Sequence, residues 1–263
     1  MAKILRAIQP NAGVRAYYRM RLIKELDAMQ RSIVYWLKAA YRSREEEIVG
    51  DASPANDVLA AFRENMRRWM KRWELMAGWL APRIIARVDR TTTTSLKEAF
   101  KAAGFTVKFD NSRLMNSRTQ ALIAENVNLI KSISQHYLTQ VEGIVMRGVS
   151  AGRDLGYISE ALGKNYGVTK RRAAFIARDQ VDKATQVIQR THDEKLGITE
   201  GIWVHLPGMK TSRETHEAMN GQRFSLSGPD AGLYDSDVGE NVLPGFLPGC
   251  RCTYRRVLPE FGD

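Results

Sequence analysis

Residues 62–80 read FRENMRRWMKRWELMAGWL, and the apolar residues in this stretch recur with the period of an α-helix. The steps between them are four, three, four, three and four residues, which places on one helix face Phe62, Met66, Trp69, Trp73, Met76 and Leu80. Lys and Arg side chains occupy much of the remaining surface. The stretch therefore predicts a basic amphipathic helix whose apolar face packs against a second helix.

The sequence on either side extends the helical pattern over the first 147 residues, which we expect to form a basic helical domain. The predicted elements, in chain order, are a helix over 17–40, a loop or hinge over 43–57, the helix just described with an end or short break at Pro82, a helix over 91–103, a short strand over 105–109 and a long helix over 117–147.

From Gly148 onward glycine becomes frequent and the predicted elements become shorter, so residues 148–263 are predicted to form a second domain. In chain order its elements are a connector, helices over 159–165 and 169–196, a strand over 201–205, a short helix within 212–219, a strand over 222–226, a long irregular loop over 227–249 and a last strand over 250–258. The predicted fold class is α+β: a mainly helical N-terminal body and a smaller C-terminal unit of helices, a short antiparallel sheet and long loops, β-rich from about residue 201.

The formal net charge of +11 is concentrated in the first part of the chain. Residues 1–150 hold 25 Lys and Arg against 14 Asp and Glu, whereas residues 151–263 hold 15 of each sign. This imbalance favours nucleic acid or an acidic protein as a partner, with a solvated basic surface as the alternative. Three of the cations would lie in the first turn of the helix over 169–196, where the helix dipole disfavours them. The candidate contacts for DNA or another anion are Arg67, Arg68, Lys71, Arg72, Lys170, Arg171 and Arg172.

Composition excludes several classes of protein. No stretch approaches the about 18–20 uninterrupted apolar residues of a membrane span, and the N-terminal residues lack the apolar core of a secretion signal. Cys250 and Cys252 are separated by one residue, which rules out a disulfide scaffold. We expect a soluble protein made in the cytoplasm, with no membrane partner.

Three short motifs lie in a fixed order in the second half. The first is residues 172–180, RAAFIARDQ. The second combines Trp203 with residues 213–221, RETHEAMNG. The third is residues 248–252, PGCRC. Together they resemble the phage head morphogenesis family, the minor head proteins similar to the F protein of phage Mu. The resemblance covers about residues 145–258, with small departures at residues 211–213 and at His205.

The resemblance implies a low-copy protein of the virion head, associated with the portal and other head proteins, that joins during prohead assembly and acts in DNA packaging or delivery. It implies no catalysis and no small-molecule substrate. The motif residues expected to determine the structure of the C-terminal unit are Arg178, Asp179, Trp203, Arg213, His216, Gly221, Cys250, Arg251 and Cys252.

The same motifs carry a second interpretation that rests on the residues themselves. Alternation along a strand would place both sulfurs of Cys250 and Cys252 on one face, and His216 is a further soft ligand. These three residues supply three of the four ligands of a zinc site, and the fourth would be His205, Asp230, Asp235 or Asp237. The alternative is a metal-free core of two buried thiols, and the expected cofactor content is none, with zinc left open.

Other functions fit less well. An HNH-like, metal-dependent nuclease needs a second metal-binding His after Asn220, and the sequence has none. A cysteine hydrolase needs a base beside the thiol and a third group to orient that base, and no motif identifies the third group. Non-specific DNA binding, or membrane contact through the helix over 62–80, would each rest on basic charge.

Overall fold

The computed structural model describes residues 3–42, 53–109, 113–150, 155–207 and 212–259. These residues form five helices and six strands: β1 (Ile4–Leu5), α1 (Ala12–Arg42), α2 (Ser53–Ala102), α3 (Arg113–Ser150), α4 (Leu155–Lys195), β2 (Glu200–Val204), α5 (Glu214–Ala218), β3 (Arg223–Ser225), β4 (Leu233–Asp235), β5 (Glu240–Val242) and β6 (Thr253–Val257). The chain divides into two compact units. Unit 1 comprises residues 1–16, 82–123 and 178–263, and unit 2 comprises residues 17–81 and 124–177.

Unit 2 is built from the apolar seams of four helices. Leu22, Leu26 and Trp73 are fully buried, as the helical period of α1 and α2 predicts. Polar contacts join the helices around this core. The Trp69 indole N–H donates to Ser32 Oγ at 3.0 Å, and the Tyr18 hydroxyl donates to Asn126 Oδ1 at 3.0 Å. The contact between Trp69 and Ser32 joins α2 to α1, in agreement with the prediction that the apolar face of the helix over 62–80 packs against a second helix.

Unit 1 contains a four-stranded antiparallel sheet in the order β1-β6-β2-β3. Trp203 of β2 is paired with Tyr254 of β6, and both side chains are buried. The apolar core beside this sheet includes Leu96 and Phe100 of α2 and both cysteines. Strands β4 and β5 form a separate two-stranded sheet. The predicted α+β class, with a small antiparallel sheet near the C-terminus, is confirmed.

Helix α2 corrects two predictions. Pro82 neither ends nor breaks the helix, although an internal proline costs about 3 kcal/mol. The neighbouring residues Leu80, Ile84 and Ile85 are completely buried, and this packing keeps the helix continuous. The threonines at 91–94 do not start a new helix, because Thr91 and Thr94 donate to backbone carbonyls one turn earlier.

Helix α4 is also continuous, so the predicted short helix over 159–165 and the new start at Thr169 are wrong. The Thr169 hydroxyl donates to the carbonyl of Asn165, a contact made inside a helix rather than at its cap. Lys170, Arg171 and Arg172 therefore lie in the middle of α4, and the helix dipole does not act on them as predicted.

Several shorter segments differ from expectation. The strand predicted over 105–109 is wrong, because these residues form no strand in the structure. Phe105 and Val107 instead pack on the apolar core of unit 1. The irregular loop predicted over 227–249 contains the β4–β5 hairpin. In the predicted loop over 43–57, residues 43–52 lie outside the described residues and 53–57 begin α2, where Pro54 is tolerated in the first turn. Cys250 and Cys252 precede β6 instead of lying on a strand.

The predicted division of the chain at residue 148 follows composition and family resemblance, and it stays a prediction. Of the helices in the described residues, none combines the length and the apolar run that crossing a membrane requires.

Candidate functional site

Both cysteines of the chain lie in unit 1, in the segment that leads into β6. Their side chains are buried and both thiols are free. Each sulfur points to the same imidazole nitrogen: Cys250 Sγ lies 3.4 Å and Cys252 Sγ lies 3.7 Å from Nδ1 of His216. The structure thus brings together the three residues that the sequence predicts as metal ligands.

His216 is held from its other side by a carboxylate. Its Nε2 lies 3.0 Å from Oδ2 of Asp235, and both side chains are almost fully buried. Asp235 is the last residue of β4, and its Oδ1 accepts the backbone N–H of Asp237. Because an ionised carboxylate can only accept hydrogen bonds, Nε2 donates its N–H to Asp235, and Nδ1 is the ring nitrogen that faces the two sulfurs.

His205 approaches the cluster from the end of β2. Its Nδ1 lies 3.5 Å from Cys252 Sγ. Its backbone N–H donates to the side chain of Asn220 at 2.9 Å, which fixes where the chain leaves the strand. The next residue, Gly221, has φ +83° and donates its N–H to the carbonyl of Trp203, so a residue with a Cβ would be strained there. The Asn-Gly pair therefore positions His205.

The remaining motif residues hold the cysteine segment. Asp179 of α4 accepts the N–H of Gly249 at 2.5 Å. Arg213 donates to the carbonyl of Pro248 at 3.0 Å, and Arg251 donates to the carbonyl of Pro207 at 3.3 Å. Arg178 lies near Asp182, where its charge lowers the carboxyl pKa against the larger effect of burial.

Trp203 packs against the cluster of Cys250, Cys252 and His216. It is fully buried, and its ring meets the ring of His216 edge-on at a centroid distance of 5.3 Å. Trp203 is therefore a core residue, which agrees with its expected structural role in the C-terminal unit. A small cleft bordered by His205, Arg213 and Arg251 leads to the two sulfurs.

The thiols differ in their affinity for protons. The pKa of Cys250 is lowered to about 4, first because the Cys252 thiol donates to it and also because His216 stabilises the thiolate. The N–H of Gly245 points to the same sulfur at 3.3 Å. The pKa of Cys252 is raised by the neighbouring Cys250 sulfur and by burial. Burial lowers the pKa of His216, but contacts with Cys250 and Asp235 outweigh it and leave that pKa above its usual value.

The arrangement is suited to two kinds of chemistry. The sulfurs and nitrogens have the donor types and the spacing of a zinc site. The arrangement of Cys250, His216 and Asp235 also resembles the nucleophile, base and orienting carboxylate of a cysteine hydrolase. Asp235 would be the third group of such a hydrolase, which the sequence motifs did not identify. No local signal reveals it, since Asp235 lies 19 residues after His216 in the irregular-looking loop.

Of the four candidates for a fourth ligand, the structure favours His205. Asp230 and Asp237 are exposed, and Asp235 contacts the far nitrogen of His216. His205 contacts a cysteine sulfur directly.

The predicted anion contacts lie in unit 2, and most have carboxylate partners. Arg67 and Arg68 pair with Glu64, Arg72 pairs with Glu25, and Lys170 lies 3.9 Å from Asp27. Arg172 donates to Ser132, whereas Lys71 and Arg171 are exposed.

The net positive charge is divided almost equally between the two units. Unit 2 carries 19 Lys and Arg against 13 Asp and Glu, and unit 1 carries 21 against 16.

Comparison with known proteins covers the same part of the chain. An uncharacterized protein of Haemophilus influenzae is 35% identical over 151 residues, which are 56% of this chain and 31% of the relative. The chain thus spans about a third of the length of this curated relative. No solved structure matches the chain. The family described as phage Mu protein F like protein matches residues 139–255, a range that holds the cysteines, both histidines of the cluster and the residues that position them. Over residues 139–255 the chain is similar to the family described as phage Mu protein F like protein.

Proposed function

We propose that the chain is a low-copy structural protein of a tailed-phage head that joins the prohead near the portal and contacts neighbouring shell proteins. The observation that supports this proposal is the family match over residues 139–255. The geometry agrees with a structural role, because Asp179, Arg213 and Arg251 use their polar atoms to hold the cysteine segment.

Quantitative mass spectrometry of purified particles tests the proposal. Three preparations are needed: DNA-free proheads, filled heads and heads emptied of DNA. We expect the chain in proheads and filled heads at low copy number relative to the major shell protein, and cross-links to the portal in proheads. Absence from both kinds of particle would overturn the role in the head.

The same preparations test whether the chain meets DNA. Retention in emptied heads supports a fixed shell component, whereas loss on emptying supports delivery with the DNA. Appearance only in filled heads would mean that the chain enters with DNA, and it would contradict a role in prohead assembly.

Contact with packaged DNA is proposed as an accessory property that rests on the net charge of +11. Such binding is non-specific and weakens steeply with salt, because it depends on release of counterions. Retention of the chain on DNA of unrelated sequences, lost on raising the salt, would support it. Binding that prefers one sequence would contradict it.

A further inference from the structure

We propose that Cys250, Cys252, His216 and His205 form a Cys2His2 site for a structural zinc ion. This proposal concerns the chemistry of the folded chain and does not depend on a role in the phage head. The ligand atoms of Cys250, Cys252 and His216 all lie within 4.8 Å of one another.

The spacing of these atoms fits tetrahedral zinc. With zinc–sulfur bonds of about 2.3 Å and zinc–nitrogen bonds of about 2.0–2.1 Å, a sulfur and a nitrogen of one tetrahedron lie about 3.5–3.6 Å apart. The sulfurs of Cys250 and Cys252 lie 3.4 and 3.7 Å from His216 Nδ1. The Cys252 sulfur lies 3.5 Å from His205 Nδ1. The two distances to His216 therefore suit a shared central ion, and the third places His205 beside one of the ligands of that ion.

The surroundings of His216 are those of a metal ligand. Histidines that bind metals usually donate their second ring nitrogen to a carboxylate, which sets the tautomer and makes the ligand more basic. Asp235 supplies this carboxylate at 3.0 Å, from a buried position behind the ring. A Cys–His–Asp nucleophile would need the same contact, so this feature alone does not separate the two interpretations.

The second cysteine separates them. A hydrolase needs one reactive sulfur, whereas here Cys250 and Cys252 both point to the same nitrogen from buried positions. Two thiolates would neutralise the charge of a divalent ion. The N–H of Gly245 points to the Cys250 sulfur at 3.3 Å, as the hydrogen-bond donors around metal-bound thiolates do.

His205 completes the set after a change of ring orientation. In its present orientation the His205 ring places Nδ1 3.5 Å from Cys252 Sγ and Nε2 3.8 Å from the exposed Glu217. Since its backbone is fixed by Asn220, the ring has to turn to bring Nδ1 over the centre shared by the other three ligands. A bound ion would tie together the end of β2, helix α5 and the segment before β6, whose strands are short.

The test uses the full chain, produced with zinc and dialysed against metal-free buffer. We expect about one zinc per chain by elemental analysis, and titration with a thiol reagent should release it. Replacing zinc by cobalt should produce the visible absorption of a tetrahedral cobalt thiolate complex. A folded chain with two freely titratable thiols, which takes up neither added zinc nor added cobalt, would overturn the proposal.

Variants identify the ligands. Cys250→Ser and Cys252→Ser should each lose the bound zinc, whereas His136→Gln should retain it, because His136 is an exposed histidine of unit 2. His205→Ala should keep the cobalt spectrum but bind zinc at least tenfold more weakly. Unchanged zinc affinity in His205→Ala would overturn the four-ligand site and leave one position open to water. If Cys252→Ser binds zinc as the parent does, the metal proposal itself fails.

Discussion

The guanidinium Nε of Arg256 lies 2.6 Å from Oδ1 of Asp193, and both side chains are completely buried in unit 1. The hydroxyl of Tyr254 donates to the other carboxylate oxygen at 2.5 Å, and the amide oxygen of Gln189 accepts from Arg256 at 2.7 Å. The group joins strand β6 to helix α4. Because each charge has lost its water, each one depends on its partner.

Arg256→Met should lower the free energy of unfolding by about 3–5 kcal/mol, since it leaves the Asp193 carboxylate buried without its cation. Urea unfolding followed by circular dichroism measures the loss. The matched control is Arg223→Met, which removes an ion pair whose side chains are more than half exposed and should cost less than about 1 kcal/mol. Equal losses in the two variants would contradict the importance of burial. The double variant Arg256→Met/Asp193→Leu should recover part of the loss.

A buried histidine makes stability depend on pH. His192 lies 3.2 Å from the Thr93 hydroxyl, and its ring lies 4.3 Å from the ring of Phe109, centroid to centroid, at a tilt of 56°. Burial lowers its pKa to about 4, and the positive charges of Lys195, Arg256 and Lys97 act in the same direction. Between pH 4 and about 6.5 the unfolded chain therefore binds a proton that the folded chain does not. The stability that His192 contributes is complete above pH 6.5 and falls as the pH is lowered toward 4.

His192→Gln should remove this loss. Relative to the parent, the free energy of unfolding of the variant should rise by about 3 kcal/mol between pH 7 and pH 4. Asp182 acts with the opposite sign, because burial outweighs Arg15 and raises its pKa to about 6. That contribution is present in both proteins and cancels in the comparison. Parallel stability curves for parent and variant would mean that His192 has the same pKa in the folded and unfolded chains, and they would contradict the lowered pKa.

The sequence predicts the long helices well because their apolar period is repeated over many turns. It fails at Pro82 and Thr169, where local rules favour a helix end and packing of the buried neighbours keeps the helix continuous. Strand β1 has two residues and pairs with β6 from the far end of the chain, so it has no local signature. The helix interiors could thus be predicted, and their boundaries could not.

The candidate site shows the same division. Cys250, Cys252 and His216 are recognisable ligand types, and the structure brings them together. The role of Asp235 depends on the turn between β4 and β5, and the contact between Asp193 and Arg256 spans 63 residues. Such pairs are set by tertiary packing, and no spacing in the sequence encodes them.

Trp73 tests the core of unit 2. It is fully buried and belongs to the apolar face of α2 that begins at Phe62. Trp73→Ala should destabilise the chain by about 3–5 kcal/mol through lost apolar contact and a remaining cavity. Trp36→Ala is the matched control, because Trp36 belongs to the same unit and is 51% exposed, and it should change stability by less than about 1 kcal/mol. Similar unfolding midpoints for the two variants would contradict the placement of this apolar face of α2 in the core of unit 2.

Asp235 provides the sharpest test of how the zinc ligands are oriented, and this prediction rests on the proposed site. Asp235→Asn keeps the size of the side chain but removes the charge that holds His216, so it should weaken zinc binding roughly 10–100-fold. Competition with a chelator of known affinity measures the change. Asp237→Asn is the control, because Asp237 is exposed and contacts Asp235 through its backbone N–H, which the substitution leaves in place. If both variants bind zinc as the parent does, the carboxylate does not orient the ligand, and His216 is held by Trp203 and the two sulfurs alone.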